Sequence, residues 1–424
     1  FKGVYYFKDL VICLFVLIVI DLAGHLLYCV SIPQLRYTQY FLHRIDSKHI
    51  NTSACYSLPI YANFSRGSIR SVGAEVYANF QSIEITDEKM KTISNTIDDI
   101  GGKRCDACDV NKQRNIIFIL VESLMSFPID MKVGNHEVTP FLNSLKRDSS
   151  IYYNGKMKSN ITIGESSDGQ FIYMTGLLPL RSMVTVSKAK HISLPGLPKL
   201  LGMDSRMIIP TMSSMWNQDE MCQQYGFEKL FTSNDYNGGE YAGLTDEQVF
   251  ELAIQNDKTS SQPFLSVVLT ISMHQPYKNQ IDPAFPIMDS TISSEIANYL
   301  NACHYTDRQI RNYFLFLKES GLDKKSMIVI AADHPVNQPD FKNISNYIPL
   351  FIINSNGLPK DMWKGECNQL DVYTTLLDLC GCKSRWPGLG HSLVSPNYEE
   401  SVSSKTWDIS EWIIMGDYFS KAAY

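Results

Sequence analysis

Three segments of this chain are apolar, strand-favouring runs that stop on a residue able to hold a proton or a cation. In "RNIIFILVES" (114–123) the run Ile116 to Val121 ends at Glu122. In "KSMIVIAADHPV" (325–336) Met327 to Ile330 lead to Asp333 and His334, and "PFLSVVLTISMHQPY" (263–277) ends in His274. A strand with one wet face alternates apolar and polar residues, whereas a continuous run suits a strand buried on both faces, as in a parallel sheet. "SRMIIPT" (205–211) and "YIPLFIINS" (347–355) are further strand candidates. Helical patterns lie between them, such as "TPFLNSLKRDS", "LTDEQVFELAIQN", "YTDRQIRNYFLFLKESG" and "LDVYTTLLDLCG". The alternation predicts an α/β fold with a mostly parallel sheet flanked by helices. In such sheets ligands gather outside the carboxyl ends of the strands, so Glu122, Asp333, His334 and His274 are expected to converge on one rim.

The length of 424 residues suggests two or three structural units. A net charge of −6, with no block of Lys and Arg, argues against nucleic acid as a partner. "LVICLFVLIVIDLAGHLLYCV" (10–30) has about the 20 residues needed to cross a hydrocarbon core. A cleaved signal sequence, with Lys2 and Lys8 as its basic end, and a buried soluble helix are the competing readings. Asp21 and His25 would be costly against lipid and are expected to face other helices. The expected organisation is a transmembrane helix over 1–33, read as the last of several because the chain opens on Phe1. A juxtamembrane connector over 34–111, an extracytoplasmic catalytic domain over 112–400 and a C-terminal tail over 401–424 complete it. The ten cysteines include Cys105-x-x-Cys108 and Cys380-x-Cys382. Their spacing is poor for zinc knuckles, and disulfides are the favoured expectation, without an assigned pairing.

Glu122, Asp333 and His334 make a hard oxygen-and-imidazole set suited to Mn²⁺, Mg²⁺ or Zn²⁺. "IGESSDGQF" (163–171) supplies a candidate nucleophile, Ser166. A serine hydroxyl is weak at its ordinary pKa and needs a base or a cation to activate it. The plainer reading is a helix start, with Ser166 or Ser167 as cap and Asp168 in the first turn. Two serines allow both, and Ser167 with Asp168 is assigned the capping. His274 suits a proton donor to a leaving oxygen, or a partner of a phosphoryl oxygen. Trp216, in "SSMWNQDEM", is a candidate substrate-packing aromatic, and His391 is a weaker candidate for reaching the site.

Taken in order, these motifs resemble the lipoteichoic acid synthase and phosphoglycerol transferase branch of the sulfatase/alkaline phosphatase superfamily, over about residues 112–395. "NIIFILVES" resembles the first strand with its metal-binding acid, here Glu122. "IGESSDGQF" resembles a Gly-x-Thr-Ser-Asp-x-x-Phe turn, with Ser166 where the family has its threonine nucleophile. "MWNQDEMCQQYGFEKLF" resembles a substrate-pocket segment, "LTISMHQPY" the segment of the pocket histidine, His274, and "AADH" the metal pair Asp333 and His334. The resemblance implies a bacterial cell-membrane enzyme with an extracytoplasmic catalytic domain. It implies one divalent metal, Mn²⁺ first, held by Glu122, Ser166, Asp333 and His334. It also implies a phospholipid headgroup donor and a glycan or glycolipid acceptor, with a covalent phosphoryl-headgroup intermediate on the nucleophile.

The departures lie in the substrate pocket. Gln218 stands where the family has an arginine beside the tryptophan. Ile209, Pro210 and Thr211 stand where a His-Gly-Asp is usual. Trp216, Gln218, Thr211 and His274 are the expected headgroup contacts. Losing an arginine removes a bidentate phosphate clamp, which leaves the headgroup open between glycerol phosphate and ethanolamine phosphate. A sulfatase is disfavoured because no Cys/Ser-x-Pro-x-Arg motif surrounds Ser166, and a non-catalytic receptor ectodomain is disfavoured by the complete metal set.

Overall fold

The computed structural model describes residues 82–104, 114–236, 243–261, 263–277, 281–285, 291–354 and 357–422, together with 15, 16 and 19. The apolar run 10–30 and the Cys105/Cys108 pair lie outside the described residues. Among the described residues no helix is long and apolar enough to cross a membrane.

An eight-stranded sheet organises the domain. Its strands are β1 (Asn115–Val121), β4 (Tyr152–Lys158), β5 (Asp204–Ile208), β6 (Lys229–Phe231), β7 (Phe264–Leu269), β8 (Ser326–Ala332), β9 (Ile348–Asn354) and β10 (Cys367–Asn368). Two short strands, β2 (Lys132–Val133) and β3 (His136–Glu137), form a separate hairpin. The order in the main sheet is β10-β4-β9-β8-β1-β7-β5-β6. β9 is antiparallel to both of its neighbours, and every other pairing is parallel. The expected mostly parallel sheet is therefore present. Every residue of β1 and of β8 is buried, as the unbroken apolar runs require.

Flanking helices include α1 (Asp87–Gly102), α2 (Pro140–Arg147), α3 (Ser166–Thr175), α4 (Gln218–Tyr225), α5 (Asp246–Lys258), α6 (Ser294–Glu319), α7 (Asp371–Leu379) and α8 (Ser404–Met415). α3 is buried from Ser167 to Thr175 and behaves as a core helix rather than a surface one. The Tyr173 ring stands edge-on to Phe118 of β1 with 5.1 Å between centroids, and its hydroxyl donates to Ala332 O at 2.7 Å. Trp386 donates to Thr175 O at 2.7 Å from the other end of the helix.

The C-terminal segment is part of this body. α8 buries Ile409, Ile413 and Ile414, and Ser410 donates to Leu178 O at 2.6 Å. Lys89 of α1 lies 5.4 Å from the Trp412 ring centroid, and Ile83 N donates to Met415 O, so α1 and α8 pack as a pair. The disulfide expectation is not met where it can be examined: Cys222, Cys303, Cys367 and Cys380 are free thiols.

The hydroxyl of Tyr173 ties α3 to the end of β8. Tyr173→Phe is expected to lower stability by about 1–2 kcal/mol in urea unfolding, because the buried Ala332 carbonyl loses its side-chain donor.

Candidate active site

Strand register assembles the rim. Val121 pairs with Ala332 and Leu120 with Leu269. The next residues, Glu122, Asp333 and Thr270, therefore emerge side by side where the three strands end. The ladder runs one step further, with Asp333 N donating to Val121 O at 3.2 Å and Thr270 N to Leu120 O at 3.0 Å.

The three expected metal ligands are brought together. Glu122, Asp333 and His334 are buried, and one ligand atom from each lies within 4.8 Å of the others. Each is oriented by a neighbour. Asp333 Oδ1 accepts from Ser123 N and His334 N, both at 2.7 Å, and Oδ2 lies 3.6 Å from His334 Nε2. Glu122 Oε1 accepts from the Ser123 hydroxyl at 2.8 Å, and Glu122 N donates to Thr270 Oγ1 at 3.0 Å. His334 Nδ1 meets Pro335 O at 2.9 Å, which fixes the proton on Nδ1 and leaves the Nε2 lone pair for a ligand.

Two buried carboxylates this close repel, and the site is tuned accordingly. Burial and the Glu122 charge push the Asp333 carboxyl up to about 8. Burial works against His334 charging, but Asp333 and Glu122 outweigh it and push the imidazole up to about 9. For Glu122, burial raises the pKa, yet the His334 and His274 charges hold it below its ordinary value. A divalent cation replaces the shared protons of such a set. The donor types and the oriented Nε2 lone pair fit one.

Ser166 is the first residue of α3. Its hydroxyl lies 3.1 Å from Glu122 Oε2 and 3.0 Å from His334 Nε2, inside the same cluster. The turn before it is unusual. Glu165 has a φ of 46°, a left-handed value that is strained for a residue with a side chain. Asp168 Oδ2 holds the turn by accepting from Thr162 N, Thr162 Oγ1 and Gly164 N at 2.8–2.9 Å. The assigned caps do something else than cap. Ser167 Oγ donates to Gly164 O at 2.8 Å instead of accepting from an amide, and Asp168 braces the preceding loop. Gly169 is also required: a Cβ there would sit 2.3 Å from Asp333 O. The glycine lets α3 press onto the end of β8.

Trp216, Gln218, Thr211 and His274 all line the cleft above Ser166. Trp216 is half-buried, and it and Asn217 adopt consecutive left-handed conformations with φ of 55° and 53°. Gln218 is buried and makes a reciprocal amide pair with Gln170 of α3, at 2.8 and 3.0 Å. His274 is exposed at the mouth, where its Nδ1 contacts Gln275 O. Among the described lining residues there is no lysine or arginine, and Glu165 adds a carboxylate. His391 lies elsewhere. Its backbone N–H donates to Asp371 Oδ1 at 2.8 Å, and its ring lines a different cleft with Lys103 and Arg104. Ser123, Thr270, Gln170 and Gly169 were not singled out by sequence reasoning. The first two carry a legible signal, since they directly follow or abut the strand ends.

A mostly parallel α/β sheet thus carries a serine hydroxyl beside an acid–acid–histidine set at its carboxyl rim. The sulfatase family model matches residues 114–382, and the chain belongs to the sulfatase family. Within it the chain is similar to lipoteichoic acid synthase 2 of Bacillus subtilis strain 168, with 30% identity over 322 residues, covering 70% of this chain and 49% of that protein. The chain thus spans about half the length of the curated relatives it matches. By fold it is similar to the crystal structure of the lipoteichoic acid synthase LtaP from Listeria monocytogenes. That match has a TM-score of 0.61 and 18% identity, over 77% of this chain and 98% of that one. It is also similar to the Streptococcus pyogenes phosphoglycerol transferase GacH in complex with sn-glycerol-1-phosphate, with a TM-score of 0.51 and 16% identity over 80% and 95% of the two chains.

Two outcomes test this geometry. Gly169→Ala is expected to cost about 1–3 kcal/mol in stability, because α3 must back away from Asp333, and to weaken Mn²⁺ binding as well. Because Asp333 and His334 must shed protons to bind a cation, Mn²⁺ affinity measured by calorimetry should fall on acidification, about tenfold or more between pH 8 and pH 6.

Proposed function

We propose that this chain is the catalytic part of a transferase that moves a phosphoglycerol-type headgroup from a phospholipid to an acceptor hydroxyl. The observation that carries this reading is the Ser166 hydroxyl, held at the first turn of α3 within hydrogen-bond reach of both Glu122 and His334. The similarity to a lipoteichoic acid synthase supports the choice of donor and a glycan or glycolipid acceptor.

Glu122, Asp333, His334 and Ser166 would hold one divalent metal, Mn²⁺ first. When bound, such an ion lowers the pKa of the serine hydroxyl and offsets charge on the transferring phosphoryl group. Ser166 Oγ, deprotonated, forms a bond to phosphorus while the bond from phosphorus to the diacylglycerol oxygen breaks. His274, at the cleft mouth, gives the leaving oxygen its proton. The acceptor hydroxyl then attacks phosphorus, the bond to Ser166 breaks, and His274 takes the acceptor's proton. Trp216 packs the headgroup, Thr211 offers it a hydroxyl, and Gln218 forms part of the uncharged wall. We place the enzyme at the bacterial cell membrane with this domain extracytoplasmic, as the apolar run 10–30 suggests. A second reading, ethanolamine phosphate as the headgroup, is favoured by Glu165 in a cleft whose described lining lacks lysine and arginine.

Fluorescent phosphatidylglycerol and phosphatidylethanolamine, offered with Mn²⁺, separate these readings by which one yields diacylglycerol. Ser166→Ala should lose activity by on the order of 10³-fold or more, while Ser166→Thr stays within about tenfold of wild type. Chelation by EDTA should abolish turnover and Mn²⁺ restore it. Release from neither lipid by wild type would end the transferase reading, and equal release by Ser166→Ala would remove the serine from the mechanism.

A further inference from the structure

Gln170 and Gln218 meet in the wall of the cleft. Gln170 is in α3, four residues and about one helical turn after Ser166, so the two lie on one face of the helix. Gln218 opens α4 directly after the left-handed pair Trp216 and Asn217. Both glutamines are buried, and both line the cleft.

Each amide has one carbonyl acceptor and two N–H donors. Gln170 Nε2 donates to Gln218 Oε1 at 3.0 Å, and Gln218 Nε2 donates to Gln170 Oε1 at 2.8 Å. Turning both amides over together would keep this pair intact, so the pair alone does not choose which way it faces. A third group makes the choice. Gln170 Nε2 also lies 3.0 Å from Sδ of Met207, in β5. A thioether sulfur accepts and cannot donate, so a nitrogen and not an oxygen belongs beside it. Both N–H groups of Gln170 are then engaged, one by Gln218 and one by Met207. Gln218 keeps a second N–H, on a side chain that lines the cleft.

We propose that Gln170 is a positioning residue for the headgroup: backed by Met207, it holds the Gln218 amide with an N–H toward a headgroup oxygen and keeps the Trp216 lip in register with Ser166. This rests on the transferase reading of the cleft and adds to it a residue that acts only through its neighbour. The last torsion of a glutamine is broad, so a Gln218 without its partner keeps the donor but loses its aim.

The test compares Gln170→Met, Gln218→Met, the double variant and Met207→Leu in the 424-residue chain saturated with Mn²⁺. One readout is diacylglycerol release from fluorescent phosphatidylglycerol and phosphatidylethanolamine. The other is calorimetric binding of sn-glycerol-1-phosphate and phosphoethanolamine. Gln170→Met should raise KM and weaken binding of the preferred probe by about tenfold, the worth of one hydrogen bond, with kcat within about threefold of wild type. Gln218→Met should do the same. The double variant should be no worse than Gln218→Met alone, because Gln170 acts through that side chain. Met207→Leu, which keeps the volume but not the acceptor, should weaken probe binding severalfold. A wild-type KM in Gln170→Met, a fall in kcat alone, or additive effects in the double variant overturns the proposal. Should Gln170→Met fail to fold, wild-type probe binding in Met207→Leu overturns it. Release from neither lipid by wild type removes the transferase reading, and the probe affinities then decide the role of Gln170 by themselves. Binding of neither probe by wild type overturns that role as well.

Discussion

The pairing of β1 with β8 is the constraint on which the site depends. Seven consecutive pairs, from Asn115 with Ser326 to Val121 with Ala332, bring Glu122 and Asp333 to the same height at the carboxyl rim. A slip of one residue would turn every side chain of one strand to the other face, so the buried apolar runs enforce the alignment. The chemistry-bearing residues inherit their positions from that core. α3 is then docked against the same strand end by Tyr173 and by the space at Gly169, which sets Ser166 above the pair.

Much of this was legible in the amino-acid sequence because the relevant residues are punctuation. Glu122, Asp333 and His334 each follow an apolar run, and five strands and four helices were readable from period and length. β4 was not, because "YYNGKMK" mixes lysine, asparagine and glycine and draws its burial from pairing with β9. α6 begins about eleven residues before the pattern used to predict it, at a turn where Ser293 caps the amide of Ile296. Gln218 looked like a lost clamp, whereas its partner is Gln170, 48 residues away in sequence and invisible to any local period. The roles of Ser167 and Asp168 were misjudged for a related reason. A helix start predicts acceptors for amides, but the left-handed Glu165 redirects the chain before the helix begins.

Strain is concentrated around the cleft. Glu165 precedes Ser166, and Trp216 and Asn217 form the opposite lip, all with positive φ values that cost on the order of 1–3 kcal/mol each. The surroundings hold them there. Asp168 braces the first turn, and Lys190 bridges Asn217 at 3.3 Å and Glu220 at 3.1 Å at the second. The cleft is thus shaped by backbone geometry and amides, and its described lining carries no lysine or arginine.

Hydrogen bonds from within the chain orient the Glu122–Asp333–His334 cluster. Ser123, Thr270, Pro335 and the Gln369 side chain, which donates to Asp333 O at 2.8 Å, orient the ligands from behind. A cluster braced this way is a socket rather than a clasp: its form belongs to the folded chain. The geometry of the cluster is therefore a product of the strand ends and the loops behind them.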